Sequence, residues 1–205
     1  LFRSVIDYRN ATAWNDLLPL NGTSEMAQYG SNIYIVDKSG DRVIRFDPVN
    51  STVTGELSTG PGSAPATIVF ASGTKAYVTL ADSAAVKIIN HSSMTVTGSI
   101  DISALADADG DPDQDHAVIK DGTLYVALRR SDGRRLNDYS SLALIDVATD
   151  TVSGEIRLAT NGIAGASKYS IGGEIRGSNS VAGDLYPYVV GSISDSADGA
   201  IERVI

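Results

Sequence analysis

One phrase occurs three times in this chain: Thr52-Val53-Thr54-Gly55-Glu56-Leu57, Thr95-Val96-Thr97-Gly98-Ser99-Ile100 and Thr151-Val152-Ser153-Gly154-Glu155-Ile156. Ahead of each lies a β-rich run closing on Asp or Asn: Val43–Asp47, Val86–Asn90 and Leu142–Asp146. Further upstream stand Ile33-Tyr34-Ile35-Val36, Ala76-Tyr77-Val78-Thr79 and Leu124-Tyr125-Val126-Ala127, with Tyr77 43 residues after Tyr34 and Tyr125 48 after Tyr77. A repeat of this period means that one small unit is stacked on its neighbours, because a single unit cannot bury its own apolar face.

Within a unit the apolar residues alternate or form short β-branched runs, and Gly, Asp, Asn and Ser punctuate them. No stretch keeps a 3.6-residue apolar period over ten positions, so helices are expected to be few. Four strands in roughly 45 residues is the content of a propeller blade; a solenoid predicts shorter coils and fits less well. One unit reads as strand A at Pro65–Ala71, B at Lys75–Leu80, C at Ala85–Ile89 and D at Thr95–Ile100. The predicted fold is therefore all-β, a β-propeller of four-stranded antiparallel blades. Blades are placed at about 1–20 (partial), 25–58, 65–101, 116–158 and 167–205 (partial).

Both ends fall inside repeats. Leu1–Tyr8 matches the C phrase, Ala11–Leu20 reads as a D strand, and Ala200–Ile205 reads as another C strand. A piece of a larger propeller is expected, its remainder elsewhere or supplied by another copy; a closed four-bladed ring is the alternative. The start on Leu1 rather than Met is what a chain processed, or cut out of something longer, is expected to show.

The order of phrases, a Pro-led apolar strand, a turn, a Tyr-Val strand, a strand ending Ile-Asp and then Thr-Val-x-Gly-x-Ile, resembles the YVTN-type β-propeller repeat. Ala76–Thr79, Leu124–Ala127 and Leu142–Thr149 carry the resemblance best. The spacing departs from it near Ile171–Asp184, where Tyr125 to Tyr188 is 63 residues. The resemblance implies a radial scaffold, secreted or on the surface of prokaryotic cells, without implying one activity.

Composition narrows the function. The chain has 205 residues and no Cys, which excludes disulfides, Cys-ligated zinc and iron–sulfur clusters. A net charge of −9 lacks the basic footprint of a nucleic-acid binder. No apolar run is long enough for a membrane-spanning helix.

Two enlarged loops are candidate sites. Asp107, Asp109, Asp111, Asp113 and Asp115 alternate along the D–A loop leading into the third complete blade, and a hard cation such as Ca²⁺ would relieve their repulsion. The pattern is not an EF-hand: Gly110 is at the fourth position and Val118 at the twelfth. The competing reading is a solvated loop whose Asp, Gly and Pro residues make turns. The B–C loop of the same blade carries Arg129, Arg130, Arg134 and Arg135, which could take a carboxylate or sulfate bidentately or be neutralised by the Asp run. D–A and B–C loops share one face of a propeller, so that face is the expected functional one.

Other signals are weaker. Asp115 beside His116 suggests a base and its orienter, but neighbours on a strand point to opposite faces, so a structural His is expected. Gly60–Pro65 looks like a phosphate cradle without the Lys-Ser/Thr that opens a helix, and reads as a turn. Four Asn-x-Ser/Thr triplets, at Asn10, Asn21, Asn50 and Asn90, fit exposed loops of an exported protein. The leading expectation is a non-enzymatic extracellular, periplasmic or cell-surface module for binding or assembly, calcium-assisted. Its partner would be a protein, a polysaccharide or another copy met at an open blade edge. The alternative is a metal-dependent hydrolase or lyase with its site at the propeller funnel.

Overall fold

A computed structural model describes residues 20, 24–130 and 141–157, together with the backbone of strands at 4–7, 12–15, 169–170, 175–177, 187–190, 192–193 and 201–203. The strands are β1 (Ser4–Asp7), β2 (Thr12–Asn15), β3 (Ser24–Tyr29), β4 (Asn32–Asp37), β5 (Arg42–Asp47), β6 (Thr52–Ser58), β7 (Pro65–Phe70), β8 (Lys75–Leu80), β9 (Ala85–Asn90) and β10 (Thr95–Asp101). They continue with β11 (Gln114–Lys120), β12 (Thr123–Leu128), β13 (Ser141–Asp146), β14 (Thr151–Arg157), β15 (Tyr169–Ser170), β16 (Ile175–Gly177), β17 (Pro187–Val190), β18 (Ser192–Ile193) and β19 (Ile201–Arg203). Helix among the described residues is confined to two single 3₁₀ turns, Lys38–Gly40 and Ser103–Leu105.

Three antiparallel sheets, β3–β6, β7–β10 and β11–β14, have their strands in chain order. They are the three complete blades. The reading of strands A to D over 65–100 matches β7 to β10 within one residue. At one end β1 pairs with β2 as a C strand with a D strand; at the other β16, β17 and β19 form a three-stranded sheet. β7 packs against both β3 and β11, so the A strands are innermost.

The repeated phrase has a local cause in each blade. The C strand ends on a side-chain oxygen that accepts two backbone N–H bonds from the next turn: Asp47 from Val49 and Asn50, Asn90 from Ser92 and Ser93, Asp146 from Ala148 and Thr149. Such Asx turns are what Asp and Asn do best at a strand end. In the D strand the third residue of the phrase is a bulge, and its hydroxyl bonds back to the C strand: Thr54 to Arg45 O, Thr97 to Ile88 O, Ser153 to Leu144 O. A bulge in the outermost strand twists that edge away from pairing with another sheet.

The B strands show how blades join. Tyr34 and Val36 face the second blade, packing with Ile68, Val78, Leu80 and Ile89, while Ile35 turns back toward Leu20, Ile44 and Phe46. Tyr77 likewise faces the third blade, with Leu124, Val126 and Ile145. Tyr125 packs on the far face of its own blade, with Ala127 and Leu142. The recurrent tyrosine is thus the forward-pointing residue of each B strand, and both sheet faces are covered. Its hydroxyl closes the joint: Tyr34 Oη lies 3.0 Å from His91 Nδ1 and donates to His91 O at 3.2 Å, and Tyr77 Oη donates to Asp150 at 2.5 Å. His91 is buried among Tyr29, Tyr34 and Phe70, with Nε2 3.0 Å from Ser72 O, and is a packing residue.

The apparent phosphate cradle does hold an anion, the chain's own Asp41. Its carboxylate accepts from Gly62 N at 2.7 Å, Ala64 N at 2.9 Å and the Ser63 hydroxyl at 3.4 Å. Gly60 (φ 109°) and Gly62 (φ 68°) adopt the left-handed backbone that aims those amides. Bonds from Ala64 and Gly62 hold Asp41 below its ordinary value of 3.8. A depressed carboxyl contributes stability above its unfolded value that is lost as pH falls through the folded one. Asp41→Asn is therefore expected to melt below wild type at pH 7, with the gap closing as pH falls through the folded value, beneath 3.8. A gap that stays constant in thermal scans across that range would refute the carboxylate's role.

Candidate functional site

A cleft of about 340 Å³ lies where the starts of the three innermost strands meet the end of β4. Glu25 comes from β3, Pro65 and Ala66 from β7, Asp115 and His116 from β11, with Val36 from β4 and Lys38 just after it. Three blades contribute to one site, on the face of the D–A and B–C loops.

The sequence expectation for Asp115 and His116 needs correction. In β11 the pairing with β12 slips between Gln114 and Ala117, so Asp115 and His116 together oppose a single residue. This bulge brings their side chains together, and Asp115 Oδ1 lies 2.7 Å from His116 Nδ1. β7 carries a matching slip between Pro65 and Ile68. The freed Thr67 N–H bonds the Thr79 hydroxyl at 3.1 Å, and that hydroxyl donates to Asp115 O at 2.7 Å. Two bulges, linked by Thr79, therefore shape the cleft, and bulges gather beside functional sites because they re-aim side chains.

His116 is flanked on both sides. Nδ1 faces Asp115, and Nε2 lies 3.5 Å from Glu25 Oε2. A carboxylate on Nδ1 fixes the ring and favours a proton there. Burial raises the Glu25 carboxyl above its ordinary 4.5, opposed by His116 and Thr67 and assisted by Asp115. A raised carboxyl favours folding below its unfolded value, and that contribution disappears as pH rises through the folded value. Glu25→Gln, which mimics the protonated form, is accordingly expected to melt a few degrees above wild type at pH 7 and level with it at pH 3. A lower melting temperature at pH 7 would show that the His116 contact outweighs burial.

The two enlarged loops do meet. Arg129 N donates to Asp113 O and Arg130 N to Pro112 O, and Arg129 Nε lies 3.9 Å from Asp115 Oδ2. Within the acidic loop the alternation serves the backbone: Asp107 accepts from Asp109 N, Asp109 from Asp111 N and Asp111 from Asp113 N. Burial, then Asp113, Asp82 and Asp109, push the Asp111 carboxyl up against its bond from Asp113 N. Among the described residues no three His, Asp or Glu side chains are arranged to hold a metal ion. Arg130 is 7% exposed, and its Nη1 donates to Leu105 O at 2.5 Å and lies 3.8 Å from Glu155 Oε1. It faces the interior of the joint. Arg134 and Arg135 lie outside the described residues. Of the glycosylation triplets, Asn50 and Asn90 sit in C–D turns, where Asn50 donates to Asp47 and Asn90 caps its own turn; the side chains of Asn10 and Asn21 lie outside the described residues.

Sequence reasoning missed Glu25 altogether. Nothing local distinguishes it, and only the packing of β3 and of β11 against β7 brings it to His116.

No family model matches the chain, and no curated protein matches it by sequence. Its structure is similar to that of virginiamycin B lyase from Staphylococcus aureus, with a TM-score of 0.63 and 14% identity over 98% of this chain and 61% of that one. Hydrazine synthase of Kuenenia stuttgartiensis gives 0.62 and 17% over 98% and 59%. A dihydro-heme d1 dehydrogenase gives 0.59 and 17% over 98% and 39%. The chain spans about three fifths of the length of the first two. These likenesses establish the fold, and the chain is β-propeller in architecture.

Proposed function

We propose that this chain is the ligand-binding part of a β-propeller, a non-enzymatic module that takes a small polar ligand in the cleft between its innermost strands. The observation that carries the reading is the convergence of Glu25, Asp115 and His116 from two blades on one cleft, through a bulge in β11. The raised Glu25 carboxyl supports it, since a half-buried, destabilised charge at a cleft is characteristic of binding sites. Thermal-shift measurement on the 205-residue chain against amino acids, sugars and organic acids tests it. A compound that raises the melting temperature of wild type and not of His116→Ala is expected; if none does, the reading falls.

The repeat resemblance supports a secreted or cell-surface setting, with a larger protein, polysaccharide or sister-copy partner reached through the loop face or a blade edge. Light scattering decides the sister copy: a monomer at all concentrations removes it. Calcium enters as a ligand of Asp107–Asp115, whose mutual repulsion it would relieve. A melting temperature that rises with millimolar Ca²⁺ and falls with chelator assigns it, and identical curves remove it.

One observation favours a second reading. Asp115–His116–Glu25 is a carboxylate–imidazole–carboxylate chain able to move a proton at Nε2. Virginiamycin B lyase and streptogramin B lyase are among the similar structures. Here His116 would be the base and Asp115 its orienter. Exchange of ligand C–H for deuterium, followed by proton NMR, separates this from binding alone: exchange abolished by His116→Ala supports an enzyme, and no exchange with a bound ligand supports the module.

A further inference from the structure

The cleft contains two opposite charges that do not satisfy each other. Glu25 Oε2 is buried and has no hydrogen-bond partner, although His116 Nε2 stands 3.5 Å away. Lys38 lines the same cleft and makes no ion pair among the described residues, with Glu25 or with any other carboxylate. An unpaired acceptor in a partly desolvated site costs free energy that a donor from a ligand would recover. Val36, Pro65 and Ala66 add apolar lining to the same cleft.

The geometry points to a zwitterionic ligand of amino-acid size. Its ammonium would donate to Glu25 Oε2, its carboxylate would accept from Lys38 Nζ, and a short apolar side chain would rest on Val36, Pro65 and Ala66. The volume, about 340 Å³, is on the order of eleven waters at ~30 Å³ each, which suits one amino acid. A simple cation would leave Lys38 unanswered and find it repulsive; a simple anion would meet Glu25 and Asp115 in the same way. This inference rests on the binding reading above and adds the chemistry of the ligand.

Calorimetry on the full chain with leucine, isoamylamine, which lacks the carboxylate, and 4-methylpentanoate, which lacks the ammonium, tests it. Leucine is expected to bind at least tenfold more tightly than either. Lys38→Met should erase its advantage over isoamylamine, and Glu25→Gln its advantage over 4-methylpentanoate, with folding of both variants checked by melting temperature. Leucine binding no better than the half-molecules in wild type overturns the inference, as does an advantage that survives both variants. If a sugar or organic acid binds instead and His116→Ala abolishes it, the zwitterion falls while the cleft stands as a binding site. If no compound depends on cleft residues, both fall.

Discussion

Tyr77→Ala will lower the stability of the chain by about 3–5 kcal/mol, a fall in melting temperature of the order of 10 °C. Tyr77 is fully buried at the joint between the second and third blades, where Leu124, Val126 and Ile145 surround its ring. Removing the ring leaves a cavity between two rigid sheets that cannot collapse freely. Tyr77→Phe separates ring from hydroxyl. It loses the bond to Asp150, while Lys75 Nζ still pairs with Asp150 at 2.6 Å and donates to Val147 O at 2.9 Å, so about 1 kcal/mol is expected. Burial alone would lower the Lys75 ammonium, but bonds to Asp150 and Tyr77 hold it above its ordinary value, which fits a pair that persists without the phenol. Thermal or urea melts that show Phe as damaging as Ala would mean that the clasp, rather than packing, joins the blades.

Arg130→Met comes next, with an expected loss of about 2–4 kcal/mol. The guanidinium is 9% exposed at its side chain, bonded to Leu105 O and near Glu155, whose carboxylate is 13% exposed. Removing the cation leaves Leu105 O without that donor and weakens the support of Glu155, which keeps Arg157 at 2.9 Å. Burial works against the Glu155 charge, yet the bond from Arg157, with Arg130 adding to it, holds its carboxyl below the ordinary value. Adding Glu155→Gln should return part of the loss, because the carboxylate that burial penalises, left with Arg157 alone, is then neutral. Denaturation of the single and double variants measures this. A neutral Arg130→Met would return Arg130 to the set of ligand-facing arginines that the sequence suggested.

Much of the architecture was legible because its causes are local. Asp47, Asn90 and Asp146 cap their turns through bonds two and three residues away, and Thr54, Thr97 and Ser153 mark bulges bonded to the adjacent strand. Repetition of these short-range devices announces strands, turns and period together. The tyrosine was legible as a repeat position; its partner in the next blade was not.

The site belongs to the other category. Periodicity alone sends Asp115 and His116 to opposite faces, and the one extra residue of the β11 bulge reverses that, since a one-residue change of register flips every side chain. Of the loop acids that stood out in the sequence, Asp107, Asp109 and Asp111 are engaged with their own backbone and Asp115 with His116, and Arg130 is engaged with the interior. By itself the sequence determined the blades, because turn chemistry and alternation act over a few residues. Only the tertiary structure decided the cleft, because Glu25 meets His116 through the packing of three inner strands, and that proximity has no trace in either residue's own neighbourhood.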